Sequence, residues 1–210
     1  MLELARPGSA AIDVGANVGI HAIPLASRLA PGKLIAVEPL QRNAERLLAN
    51  AQLNGIVNID LHVAAAGPSP GTVNLHLARD DAFASTAQVL RHWDGEQVAP
   101  VEQTTLDLLW ETAGRPAISL VKIDVEGGEA GVLVGAVRLL SRDRPAILVE
   151  ANTPDALSNV TRVLDGHGYH PAPGEGFESW NHLFLALPVG GASVISPARR
   201  RSSRDDRGAD

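Results

Sequence analysis

The chain of 210 residues contains no cysteine. That excludes a disulfide framework, a thiolate zinc site and a cysteine nucleophile, so any chemistry must come from oxygen and nitrogen groups. Positive charge is not in excess either. Lysine and arginine number 18 against 24 aspartates and glutamates, for a formal net charge of -6, and such a balance offers no field to gather a polynucleotide. No stretch approaches the roughly 18 uninterrupted apolar residues of a membrane span. The opening MLELARPGSAAIDV also lacks the basic start and long apolar region of a signal peptide. These absences predict a cytoplasmic protein with neither nucleic acid nor membrane as its partner. No internal repeat is visible.

What is present is alternation. The runs AAIDV (10–14), KLIAV (33–37), NIDLHV (58–63), SLVKID (119–124), AILVE (146–150) and HLFLAL (182–187) read as strands. Helical periodicity occupies residues 20–29, 42–53, 129–140 and 156–165, with APG, NG and GHG acting as stops. Strands alternating with helices predict an α/β fold, a mostly parallel sheet covered on both faces. The rhythm breaks over residues 67–116, where GTVNLHL and VAPVEQTTL read as extended and LDLLWETAG as a short helix. This insertion within a domain of residues 1–188 is the expected substrate region, with contacts around residues 85–94. Residues 189–210, ending PARRRSSRDDRGAD, lack apolar periodicity and are expected to form a disordered tail.

The stretch AIDVGANVGIHAI (11–23) joins the first strand to the first helix through Gly15 and Gly19. Such a turn puts backbone N–H groups and open space at the carboxyl end of a parallel sheet, where ligands bind. A dinucleotide fingerprint, G-x-G-x-x-G, would need a further glycine at position 20, which is Ile20. Glu38 closes the second strand in AVEP. A carboxylate there accepts hydrogen bonds from vicinal ribose hydroxyls and repels a ribose phosphate. The pair predicts an adenosyl ligand without a phosphate.

Taken in order, IDVGANVG, AVEP, AAAGPSPG with NLHL, TTLD, LVKIDVEGGE and ILVE resemble the FkbM-type methyltransferases, over roughly residues 10–187. The resemblance implies a class I methyltransferase fold, with a seven-stranded sheet whose last strand is antiparallel. It also implies S-adenosylmethionine as cofactor, and methyl transfer to a hydroxyl of a sugar or polyketide-like small molecule. By position it implies that Asp13, Gly15, Asn17 and Gly19 surround the methionine part of the cofactor and that Glu38 holds the ribose. The turn VAAAG, with Ala65, would lie near adenine. Many relatives offer a polar side chain near position 63 or 64, whereas Val63 and Ala64 offer none, so backbone and apolar contacts must serve there.

An activated methyl group needs an acceptor held in line and, for a hydroxyl, a base. Asp124 is the first choice at the reacting centre and Glu126 the second, with Glu129 read as stabilising the next helix's N-terminus. Lys122 is read as packing or pairing within the strand, and His21 as packing. Asp124, Glu150 and Asn152 could converge as hard oxygen ligands for Mg²⁺. His92 and His182 are candidate bases or substrate contacts, and Trp93 and Trp180 candidate flat walls for a ring. The first strand begins about ten residues in, short of the helical cover usual in this fold. A binding or scaffold module that needs a partner is therefore an alternative, and an NAD-linked oxidoreductase a further one.

Overall fold

The computed structural model describes residues 1–77, 84–85, 97–172 and 180–187. His92, Trp93, most of the expected substrate segment and the expected tail lie outside the described residues. The elements follow the chain as β1 (Ala10–Val14), α1 (Ala22–Leu29), β2 (Leu34–Val37), α2 (Gln41–Leu53), β3 (Ile59–His62), β4 (Ala65–Ala66), β5 (Gly71–Leu77), β6 (Ala84–Ser85) and β7 (Gln97–Thr104). They continue with α3 (Leu106–Thr112), β8 (Ile118–Ile123), α4 (Glu129–Val134), α5 (Val137–Asp143), β9 (Ala146–Glu150), α6 (Pro154–Asp165), β10 (Tyr169–Pro171) and β11 (Asn181–Ala186).

Every residue of β1, β2 and β8 is buried, as expected of parallel strands covered on both faces. Seven strands form the main sheet in the order β10-β11-β9-β8-β1-β2-β3. The pairings of β1, β2, β3, β8 and β9 are parallel, while β11 runs antiparallel to both β9 and β10. The expected α/β class, with its last strand antiparallel, is what the chain adopts. Alternate strand residues serve opposite cores. Ile12, Val14, Val121, Ile123, Ile147 and Val149 pack with Trp110, Leu139 and Phe184 on one face. On the other, Ala11, Leu120 and Leu148 pack with Leu25, Leu29 and Leu47 of α1 and α2. Among the described residues no helix is long and apolar enough to cross a membrane.

The insertion builds a second sheet in the order β4-β7-β5-β6. Its centre is the antiparallel pairing of β5 with β7, from Gly71 opposite Gln103 to Leu77 opposite Gln97. The first helix starts at Ala22 because Asn17 (φ +48°) and Gly19 (φ +94°) hold the preceding turn in a left-handed conformation that no helix continues. The single helix expected over residues 129–140 is two helices, broken at Gly135 and Ala136. Gly135 lies against Gly67, whose carbonyl a side chain would strike, and its own carbonyl accepts the Asp107 N–H at 2.9 Å. Asp107 in turn starts α5. Its carboxylate accepts the N–H groups of Arg138 at 3.0 Å and Leu139 at 2.9 Å. Strand β10 escaped the sequence reading because it is three residues long and ends in a proline.

Replacing Asp107 with alanine strands two buried or half-buried N–H groups and removes one of the two carboxylates that pair with Arg138, so it is expected to cost about 1–3 kcal/mol of stability. Urea unfolding would register the loss as a lower midpoint with an unchanged slope; an unmoved midpoint would show that these caps add nothing net.

Candidate functional site

Strand β1 lies between β2 and β8, so the chain leaves β1 to one side, runs out through β2 and β3, and returns to the other side as β8. That reversal of strand order opens a crevice at the carboxyl ends of β1 and β8. Gly15 leaves β1 with φ +77°, and a Cβ there would run into the carbonyl oxygen of Asp124. The turn is thus seated on the end of β8, tied by the Asp124 N–H to the Val14 carbonyl at 3.0 Å. Toward β2, the N–H groups of Gly15 and Ala16 both donate to the Val37 carbonyl, at 2.9 and 3.1 Å.

A cavity of about 300 Å³ occupies this crevice, at the lower end of the range for small-molecule sites. Val37, Pro39, Ala64, Ala65, Ala66 and Leu75 make its apolar end, and Gly15, Asn17, His21, Asp124, Glu126 and Glu150 its polar end. Glu38 stands between them, 4% exposed. Its Oε2 accepts the Asn17 N–H at 2.9 Å, and Oε1 accepts the Leu40 N–H at 3.0 Å and Asn43 Nδ2 at 3.4 Å. Burial raises the Glu38 pKa, and these donors oppose the rise. A carboxylate has roughly four acceptor positions, so Oε2 keeps one free and the long Asn43 bond leaves Oε1 open to a competing donor.

Of the residues singled out from sequence, Gly15, Asn17, Glu38, Ala65, Asp124, Glu126 and Glu150 line the cavity. Asp13 does not line it. It is fully buried behind the turn, with Lys122 Nζ 3.5 Å from Oδ1. Gly19 sits away from the cavity as a packing glycine, where a Cβ would lie 3.1 Å from Leu47 and 3.3 Å from Ile23. His182 is in the sheet opposite Val149, and Trp180, 51% exposed, stands outside the cavity wall. The Trp180 carbonyl accepts the Ala151 N–H at 2.8 Å, so the tryptophan is at the same sheet end as Glu150. Among the lining side chains that went unread as site residues, His21, Asn43 and Leu75 stand out. His21 lines the cavity instead of packing, Asn43 steadies Glu38, and Leu75 reaches in from β5. Asn43 carried a usable signal, a polar residue on the buried stripe of α2 beside Ala44 and Leu47.

Asp124, Glu126 and Glu150 each offer an oxygen within 4.8 Å of the others. Asn152, expected among metal ligands, instead donates its amide to Glu126 Oε2 at 3.4 Å. Lys122 Nζ holds Asp124 Oδ2 at 3.2 Å. Asp124, Glu126 and Glu150 form one carboxylate trio in the lining of the cavity. Glu129 is buried at the start of α4, with Oε1 accepting the Gly127 N–H at 2.6 Å, which is helix-start work.

The model of the methyltransferase FkbM domain matches residues 13–171, more than half of the chain. The chain belongs to this family. Its fold resembles a methyltransferase FkbM from Methylobacillus flagellatus KT, with TM-score 0.62 and 18% identity over 84% of this chain and 43% of that one. The chain thus spans less than half the length of that relative. It also resembles a precorrin-6y C5,15-methyltransferase from Geobacter metallireducens GS-15, with TM-score 0.52 and 17% identity over 88% and 82%. A third likeness is to fibrillarin from Aeropyrum pernix, solved with bound S-adenosyl-L-methionine, with TM-score 0.52 and 14% identity over 86% and 66%. Among curated proteins no sequence matches the chain.

In this FkbM domain the carboxylates are not equivalent. Burial, and then the charges of Asp124, Glu150 and Glu129, push Glu126 up to about 6. Its backbone is left-handed, φ +55°, in the turn after β8. Glu150 is also raised, by burial and then Asp124. Because Glu126 binds its proton more tightly folded than unfolded, its stabilising contribution is present below its ordinary 4.5 and is lost as pH rises through about 6. Thermal melts of wild type and Glu126→Gln across that window are expected to show the variant gaining on wild type as pH rises. Parallel curves would remove the burial of this carboxyl as their cause.

Proposed function

We propose that this FkbM domain binds S-adenosylmethionine in the β1/β8 crevice and transfers its methyl group to a hydroxyl of a sugar or polyketide-like small molecule. The observation that carries the reading is the cavity's division into an apolar pocket, a buried carboxylate and a carboxylate trio in sequence. The residues present fit the cofactor. Gly15 and Ala16 leave room for close backbone approach, and Glu38 retains acceptor capacity for a ribose. Val37, Pro39 and Ala64 to Ala66 offer a slot for a flat base. Adenine would be recognised there by apolar contact and backbone groups.

Held there by Gly15, Asn17 and Glu38, S-adenosylmethionine would supply an activated methyl group for the acceptor oxygen, with its sulfur as the leaving group. The protein's part is to orient the acceptor and receive its proton. Asp124, already paired with Lys122, suits the first task by accepting a hydrogen bond from the hydroxyl. Glu126 suits the second, since a carboxyl near 6 is both largely ionised at neutral pH and basic enough to take a proton. Trp180, exposed beside the end of β9, supplies a flat surface against which a ring could stack.

Calorimetric titration with S-adenosylhomocysteine, with NAD as control, tests the seat: the sulfur ligand is expected to bind and NAD not to. Glu38→Ala is expected to weaken that binding about 10- to 150-fold, the loss of hydrogen bonds to a charged group; unchanged affinity would sink the ribose assignment. Glu126→Gln is expected to reduce methyl transfer to hydroxylated acceptors by about 100-fold or more while leaving S-adenosylhomocysteine affinity within a few-fold. Wild-type kcat/KM is expected to fall as pH drops through about 6, and a flat profile would assign the proton to another group.

A further inference from the structure

A fully buried leucine ordinarily spends its surface on a core. Among the largest fully buried side chains of the described residues, Leu75 alone belongs to neither of the two apolar cores. It is 1% exposed, and what it faces is the crevice, where it lines the cavity with Val37, Pro39 and Ala64 to Ala66. A leucine on a cavity wall has packing partners on one side only, so it forfeits part of the dispersion that close packing gives the core leucines. What its bulk does is shape the cavity.

The second sheet brings it there. Strand β4 supplies Ala65 and Ala66 to the cavity wall, and these pair in parallel with Gln103 and Thr104 at the end of β7. The Gly67 N–H extends the tie by donating to the Thr104 carbonyl at 2.9 Å. Strand β7 pairs in turn with β5, Gly71 lying opposite Gln103 and Leu75 opposite Ala99. Along β5, Thr72 and Asn74 are exposed, Val73 is half-buried and Leu75 is buried, the alternation of a strand with one covered face. Through Leu75 that covered face meets the apolar end of the crevice.

We propose that Leu75 is a specificity-determining residue of the cofactor seat: it closes the apolar end over the base, and its size sets how large a base edge the cavity admits. The inference rests on the S-adenosylmethionine reading of the crevice and deepens it. In an adenosyl group the pyrimidine edge of the base, which carries the exocyclic amine, is the edge farthest from the sugar. With the sugar at Glu38, this is the edge that the apolar end would meet. Neither Val63 nor Ala64 offers a polar side chain to read it. Leu75 selects by volume, which rejects an enlarged base because a packed site yields little to extra atoms. The first long strand of the insertion then serves the cofactor.

The test is calorimetric titration of wild type, Leu75→Val and Leu75→Ala with S-adenosylhomocysteine and with two series of its analogues. One series carries a methyl or a benzyl group on the exocyclic amine of the base, the other on the ring carbon between the two pyrimidine nitrogens. Wild type is expected to bind the parent ligand and to bind the enlarged analogues at least about 10-fold more weakly. Shortening the leucine is expected to weaken the parent and to favour the enlarged ligands of one series. Relative to the parent, Leu75→Val gains the methyl analogue and Leu75→Ala the benzyl analogue, each by about 10-fold or more. A leucine that only supported the fold would shift parent and analogues together. Unchanged ratios in variants that bind the parent overturn the assignment and leave the cofactor reading intact, whereas no binding of the parent by folded wild type overturns both. Failure of both variants to fold, read by circular dichroism, would make Leu75 a stability element and also overturns the proposal.

Discussion

The crevice exists because two backbones come closer than side chains allow. Gly15 rests on the carbonyl of Asp124, and any larger residue would have to displace the end of β8. That one contact aligns the exit of β1 with the exit of β8, and hence brings the turn beside Asp124 and Glu126 in the wall of one cavity. Glu38 extends the same constraint sideways, pinning the N–H of Asn17 from the neighbouring strand. Three separate chain segments are thereby held as one rim without a disulfide.

Around that rim the protein separates charge by burial. Glu38 is buried but well supplied with donors, Asp13 is buried with none, and Asp124 shares its counter-charge with Asp13 through Lys122. Burial raises the pKa of Asp13, Glu38, Glu126 and Glu150 alike, opposed at Asp13 by Lys122 and at Glu38 by its three donors, while at Glu126 the charges of Asp124, Glu150 and Glu129 add to the rise. On the proposed reading, similar side chains would thereby take on different work, one orienting an acceptor and another taking its proton.

Much of this was legible in the residues. The strands AAIDV and AILVE were read to the residue because they are short apolar runs with sharp ends. Gly15 and Glu38 stood out because glycine after a strand and an acid after the next strand have few physical reasons to occur together. What stayed hidden depends on distant partners. Lys122 looks like any charged residue in KID until β1 brings Asp13 into register. Gly19 and Gly15 look alike in the motif, and only packing shows that one borders the cavity while the other accommodates Leu47 and Ile23. The break at Gly135 likewise comes from Asp107, some thirty residues earlier, and not from any local stop.

Strand β11 enters the sheet from the opposite direction to β9, so its first residues, not its last, reach the ligand end, with Asn181 opposite Glu150. The carboxylates there are set by β8 and β9, which the central core fixes, whereas Trp180 is set by the way the chain arrives at β11. On the proposed reading, the wall that would meet an acceptor ring and the acids that would handle its proton are set by different strands, joined where Asn181 pairs with Glu150.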